Sequence, residues 1–353
     1  MLALLTDEQV MLQYMARDLG RKLGLANPAD LDTADPGACW QELARAGLLG
    51  FRVRDTSGRP TASGVEVAVV SEAMGAALMP VSYVISGVLV PELLAAAAAP
   101  DSLQADVAEG RTIIGLAMRA DLTGLAAAEE LSDAILVGTP GFLTVLARAA
   151  GSGEIISVAV DEQNLERLDG AELSLPLYRW RDTRDLALAS VGSPPSAEAM
   201  DRWLALGLSA LSAEMTGAAE AGLRGAIEYS KNREAFGVPI GTFQALQHMA
   251  ADAYVTCEGL RSTNNHASWA VDEEPVPDAL LAARVVKAYA SRQMLGVAET
   301  AMQIYGGIGQ TWEHIAHFYA RRVLLNRYLL GDAQLQLAAI ADRRLARLSP
   351  AAS

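Results

Sequence analysis

Aromatic residues make up only 5% of this 353-residue chain, cysteine occurs twice, and basic residues are outnumbered by acidic ones, 28 to 42. With so few aromatics among 51% hydrophobic residues, in which alanine dominates, a β-sandwich is disfavoured and packed helices are favoured. Cys39 and Cys257 lie far apart with no metal-ligand spacing around either, so both are expected to be small buried hydrophobes. The formal net charge of −14 argues against a nucleic-acid surface, which needs a basic face to displace counterions from phosphates. A small anionic ligand is still compatible with it, because a few local arginines can hold phosphates whatever the total charge. Long apolar runs are also missing. The stretch from Pro80 to Pro100 is broken by Gly87, Pro91 and Glu92, and Asp7, Glu8 and Arg17 interrupt the first turns. The expectation is a cytoplasmic protein with no membrane span and no secretory signal.

What the sequence does have is helical period. After Thr6, a plausible N-cap, Val10, Leu12, Met15 and Leu19 fall near helical spacing. Further helices are expected over Pro36–Gly50 and Gly64–Leu78, both closed by Gly or Pro. Around Gly110 the texture changes to short apolar runs at Ile113–Ala117, Ala134–Val137, Phe142–Ala147, Ile155–Val160, Leu173–Tyr178 and Leu186–Val191, which read as a small β-domain. Gly192-Ser193-Pro194-Pro195 then breaks the chain ahead of Ser196, another good N-cap. Long helical periods follow, to Lys231, then Thr242–Val271, Pro277–Tyr305, Thr311–Tyr328 and Asp332–Leu348, the makings of an antiparallel bundle. The expected fold is mainly α: a helical domain over 1–109, a β-domain over 110–195 and a four- or five-helix bundle over 196–353.

Two motifs sit at helix junctions of the bundle. The first is Arg233-Glu234-Ala235-Phe236-Gly237-Val238-Pro239-Ile240, followed by Phe243-Gln244. The second is Gln303-Ile304-Tyr305-Gly306-Gly307-Ile308-Gly309, followed by Thr311-Trp312-Glu313-His314. Either alone would suit an ordinary helix corner. Arg offers planar, permanently charged donors for a pyrophosphate, and glycines let backbone N–H groups approach an anion without an intervening Cβ. Together, in this order, they resemble the RxxFGxPI…FQ and Q-aliphatic-x-G-G-x-G motifs of the acyl-CoA dehydrogenase family. The N-terminal helices, the Trp40–Leu49 segment and Ser71–Leu78 are similar to that family too.

The resemblance implies FAD as cofactor, an acyl-CoA substrate and a flavoprotein electron acceptor. It also implies that Arg233, Phe236, Gln244, Gln303, Gly306, Gly307 and Gly309 contact the nucleotide tail of an FAD whose ring lies mainly in a neighbouring subunit. In the middle of the chain the resemblance fails. The family's flavin-ring motifs cannot be recognised around Leu116–Leu122 or Gly138–Gly141. The chemistry needs a carboxylate to take the α-proton while hydride leaves the β-carbon. By the resemblance, that glutamate belongs either at Leu330 or at Gly207, and neither residue can take a proton. Asp332 is a weak candidate and reads better as a helix N-cap, and Glu214 lies about two turns from Gly207.

The chain resembles most the heteromeric actinobacterial acyl-CoA dehydrogenases of steroid side-chain degradation, particularly through its TWEHxxH segment. That implies a homologous partner subunit in a heterotetramer. Three readings follow: a partner subunit without a base, a self-sufficient homomeric dehydrogenase with a relocated base, and a scaffold that lost its flavin. His314 and His317 have metal-compatible spacing but no third ligand nearby, and surface hydrogen bonding is their expected role.

Overall fold

The computed structural model describes residues 5–348. The chain opens with helices α1 (Asp7–Leu23), α2 (Asp30–Thr33), α3 (Pro36–Arg45) and α4 (Gly64–Ala76). A buried π-helical segment, Tyr83–Leu89, runs into α5 (Val90–Ala96), and α6 (Asp101–Ala108) follows. Local chemistry accounts for the starts. Thr6 caps α1 and Ser63 caps α4, each completed by a residue three positions on, Gln9 and Glu66. The Gln9 amide then donates to Glu66 at 2.7 Å, so the two helix starts are tied to each other. Asp35 caps α3 with Pro36 in its first turn.

The middle of the chain forms one seven-stranded sheet. Its strands are β1 (Ile114–Met118), β2 (Ile135–Val137), β3 (Thr144–Arg148), β4 (Ile155–Ala159), β5 (Leu165–Arg167), β6 (Tyr178–Trp180) and β7 (Leu188–Gly192). Their order is β5-β6-β2-β1-β3-β4-β7. Only β1 and β3 run parallel; the remaining pairs are antiparallel. Two details differ from expectation. The short polar strand β5 has no apolar run to announce it. The strand expected over Leu173–Tyr178 begins only at Tyr178, because Glu172 and Ser174 are turned inward onto Arg322.

The bundle consists of α7 (Ala197–Asn232), α8 (Gln244–Glu273), α9 (Val276–Tyr305), α10 (Ala316–Tyr328) and α11 (Ala333–Leu348), with a two-strand hairpin, β8 (Glu234–Ala235) and β9 (Val238–Pro239), between α7 and α8. Helix α10 starts five residues later than expected, since Gly306–Gln310 winds into a 3₁₀ turn and a loop follows. Helices α4 and α7 touch backbone to backbone. A Cβ at Gly75 would lie 2.1 Å from the Glu214 carbonyl oxygen, and one at Gly217 would lie 1.9 Å from that of Glu72. Both cysteines are buried.

Two buried arginines fasten these layers together. Arg322 of α10 is fully buried and donates to Glu214 of α7 at 2.9 Å, to the Met79 carbonyl after α4 at 2.9 Å, and to Ser174 and Glu172 of the sheet region at 2.7 and 3.4 Å. Arg52 joins Glu92 at 2.8 Å to Asp272 at the end of α8 at 3.0 Å. Removing one member of such a set strands its partners as uncompensated buried charges. Arg322→Leu is therefore expected to destabilise the chain by about 3–5 kcal/mol in urea unfolding. The loss should be smaller at pH 5 than at pH 8. Burial already pushes the Glu214 carboxyl above its usual range, Arg322 opposes that, and without Arg322 the carboxyl escapes by binding a proton. A loss independent of pH would show that the carboxylates are not the source of the cost.

Candidate functional site

The two motif turns lie at one end of the α7–α9 pair. Tyr229, in the last turn of α7, packs against Tyr305, the last residue of α9, with ring centroids 5.1 Å apart. Gly225 makes room for this contact: a Cβ there would lie 2.5 Å from the Tyr305 hydroxyl. Arg233 follows Tyr229 by one turn and closes α7, its N–H donating to the Tyr229 carbonyl at 2.9 Å, while its own carbonyl accepts from the Ile240 N–H at 2.8 Å. Its side chain is exposed and makes no hydrogen bond or ion pair among the described residues. The hairpin turns at Phe236 and Gly237, both left-handed, with φ of 55° and 81°. That geometry suits a two-residue hairpin and costs a phenylalanine backbone energy. The Phe236 side chain is 97% exposed and meets the edge of Phe243 at 6.3 Å.

Gln244, the first residue of α8, and Gln303, in the last turn of α9, are both exposed. Gly306 ends α9 at φ 67°, ψ −144°, a conformation essentially reserved for glycine. A Cβ at Gly306 or Gly307 would meet nothing within 4 Å, so the backbone there is open to approach. Gly309 differs: it is buried, and a Cβ would press on Tyr305 at 2.8 Å and on the Met302 carbonyl at 3.0 Å, so packing alone requires it.

The two positions that the resemblance assigns to a base meet in space. A Cβ at Gly207 would lie 2.5 Å from Leu330 Cδ1 and 3.1 Å from Leu89 Cδ2. Leu330 is buried, has φ 60°, and donates its N–H to the Leu122 carbonyl at 2.8 Å. Hydrocarbon fills the place. Asp332 does not reach it: its Oδ1 accepts from the Leu335 N–H at 3.0 Å, capping α11. Glu214 is held by Arg322 in the buried network. Lys287, which carries no motif in the sequence, is buried in α9 and donates to the Asn326 and Arg327 carbonyls at 2.5 and 3.1 Å, closing the end of α10. Burial lowers its pKa to about 7, with Asp332 opposing the shift.

The histidines depart from the expected surface role. His314 accepts from the Ala316 N–H at 3.1 Å and packs on Tyr305 with ring centroids 4.2 Å apart. His317 is buried, because α10 turns its first residues inward beneath Trp312. Among the described residues no group of three metal-ligating side chains occurs, and no helix is long and apolar enough to cross a membrane.

The acyl-CoA dehydrogenase N-terminal domain family matches residues 6–105, and the acyl-CoA dehydrogenase C-terminal domain family matches residues 199–345. The chain belongs to the acyl-CoA dehydrogenase family. It is 28% identical over 338 residues to acyl-CoA dehydrogenase FadE34 of Mycobacterium tuberculosis, covering 91% of this chain but only 46% of that protein. It is 29% identical over 334 residues to acyl-CoA dehydrogenase IpdE2 of the same organism, covering 93% of this chain and 92% of that one. The chain thus spans about half the length of the first relative and nearly all of the second. The ChsE4–ChsE5 complex of Mycobacterium tuberculosis superposes with a TM-score of 0.78 at 25% identity, over 99% of this chain and 100% of that one. A Tcur3481–Tcur3483 steroid ACAD variant, at 24% identity and a TM-score of 0.79 over 97% and 99% of the two chains, shares the fold. The family is FAD-dependent.

The contact between Gly207 and Leu330 is open to test. Gly207→Ala should destabilise the chain by about 1–3 kcal/mol, the usual cost of overpacking. Leu330→Ala in the same chain should recover part of that loss, so that a double-mutant cycle in urea gives a clear coupling energy. Additive effects would mean that the two positions do not touch.

Proposed function

We propose that this chain is a subunit of a heteromeric, FAD-dependent acyl-CoA dehydrogenase, supplying the nucleotide-tail site while a homologous partner supplies the flavin-ring contacts and the base. The observation that carries this reading is the packing of Gly207 against Leu330. Both places from which the family draws its glutamate are occupied by groups that hold no proton, and Asp332 and Glu214 have other duties. The nucleotide half is a different matter. An exposed arginine without a partner among the described residues, an exposed phenyl group and two glycines with open backbone are well matched to a pyrophosphate and its neighbouring ring.

FAD, when bound, supplies the hydride acceptor for α,β-dehydrogenation of the thioester. This chain's residues bind and orient it: Arg233 by charge-assisted hydrogen bonds to the pyrophosphate, Gly306 and Gly307 by backbone approach, Phe236 by apolar contact, and Gln244 and Gln303 by amide hydrogen bonds. The likeness to the ChsE4–ChsE5 complex and to the steroid ACAD supports a heterotetramer and a steroid-derived acyl group. A flavoprotein would accept the electrons, and the assembly would work in the cytoplasm.

The chain purified alone should carry little flavin, because a clamp on one end of FAD provides only part of its binding energy. Co-purified with a homologous partner chain, it should carry stoichiometric FAD. Within that complex, Arg233→Ala should weaken FAD retention about tenfold or more, the loss expected for a charge-assisted donor. Asp332→Asn should leave single-turnover flavin bleaching by acyl-CoA unchanged, since an amide caps a helix equally well. Stoichiometric flavin in the lone chain, or collapse of bleaching in Asp332→Asn at saturating FAD, would make this a self-sufficient enzyme with its base at Asp332.

A further inference from the structure

A groove of about 650 Å³ runs between α1 and α7 with α4 as its floor, and neither Arg233 and its hairpin nor the glycine turn lines it. That volume lies within the range of small-molecule pockets, about 300–1,000 Å³. From Arg17 toward Leu25 the lining is apolar and short-chained, with Gly20 and Gly24 on one side, Ala76 and Ala77 below and Ala221 across from them.

Two arginines reach the groove from its opposite walls. Arg17 of α1 stands 3.9 Å from Glu72 and makes no hydrogen bond through its side chain among the described residues. Arg224 of α7 gives one N–H to Glu220. Both arginines are exposed, and most of their guanidinium donors are unused. The two carboxylates do not depend on them. Arg261 of α8, which does not line the groove, donates from Nη2 to both Glu72 and Glu220 and from Nε to Glu72 again. Burial pushes the Glu72 carboxyl above its usual range, Arg261 opposes that, and Arg17 opposes it more weakly. Because one nitrogen of Arg261 joins Glu72 to Glu220, Arg17 and Arg224 flank the same point from either side.

Two cations at one level, beside an apolar run, complement a ligand that has one acid group and a hydrocarbon body. The planar guanidinium fork matches a carboxylate. A single level of charge suits one acid group better than the spaced side chains of a peptide helix. We propose that the groove between α1 and α7 binds an amphipathic carboxylate, its acid group held between Arg17 and Arg224 and its hydrocarbon laid along Gly20, Gly24, Ala76 and Ala221 toward Leu25. The site does not depend on the nucleotide-tail reading above.

The test is isothermal titration of the full chain with decanoate, with 1-decanol as its uncharged counterpart and ADP as a competitor. Decanoate should bind, 1-decanol should bind several-fold more weakly, and ADP should not displace decanoate. Arg17→Gln and Arg224→Gln should each weaken decanoate binding roughly three- to tenfold and leave 1-decanol unchanged. Ala221→Leu, which fills the groove from the α7 side, should weaken both ligands. Arg17→Gln alters an exposed side chain that makes no hydrogen bond, so it keeps the test decisive if Ala221→Leu folds poorly. Absence of decanoate binding, equal affinity for decanoate and 1-decanol, or unchanged decanoate affinity in the two arginine variants would overturn the proposal. Displacement of decanoate by ADP would overturn it too, by making the groove a nucleotide site, as would tighter competing binding by an acidic amphipathic peptide, by assigning it to a protein partner.

Discussion

The three layers of the chain meet on one guanidinium group. Arg322 reaches from the bundle to the loop after α4, to the sheet region and to α7, and it does so without contact with water. A buried cation is tolerated only where its hydrogen-bonding capacity is met, so the ends of three separately formed units must arrive together for it to be accommodated. Such a group contributes less to net stability than to the uniqueness of the arrangement. It also explains why Glu214, seven positions along α7 from Gly207, is unavailable for proton transfer. Its charge is already answered.

Between Gly207 and Leu330 the same economy of space works in the opposite sense. A dehydrogenase needs a carboxylate whose proton affinity is tuned by its surroundings. Here the two candidate places are pressed together, one stripped to a hydrogen atom and the other filled by a leucine that lies against it. The motif residues lie at the far end of α7, some 26 residues along, where the chain presents glycine backbone and an arginine unpaired among the described residues. On the proposed reading, that separation, roughly 39 Å of helix, lets one end of an elongated cofactor be served by this chain while the chemistry belongs to another.

Much of the fold was legible because capping and period are local. Thr6, Asp35, Ser63 and Ser196 each announced or could have announced a helix start from their own neighbourhood, and Asp332 was readable as a cap from its place ahead of a helical period. Elements whose cause is distant were not legible. Strand β5 is held by its pairing with β6 rather than by an apolar run, and the shift of β6 follows from Glu172 and Ser174 bending toward a residue nearly 150 positions away. Arg322 carries no motif in the sequence, yet it is fully enclosed. At the site, the motif residues could be read, but not that Gly309 serves packing, nor that His317 lies under Trp312. The first depends on the glycine turn folding back onto Met302 and Tyr305 of α9, the second on which way α10 faces once its start has slipped from Thr311 to Ala316.

The backbone contact between α4 and α7 bears on how such a chain could arise. Gly75 and Gly217 leave no space for even a methyl group, so the distance between these helices is set by the two main chains and not by the side chains along them. Gly207, seven positions before Glu214 on the same helix, faces the side chains of Leu330 and Leu89 and not another main chain, so it takes no part in setting that distance. In a duplicated gene, the proton-abstracting function and the scaffold's dimensions would be inherited as separate traits, and the first could drift away while the second stayed compatible with the sister chain.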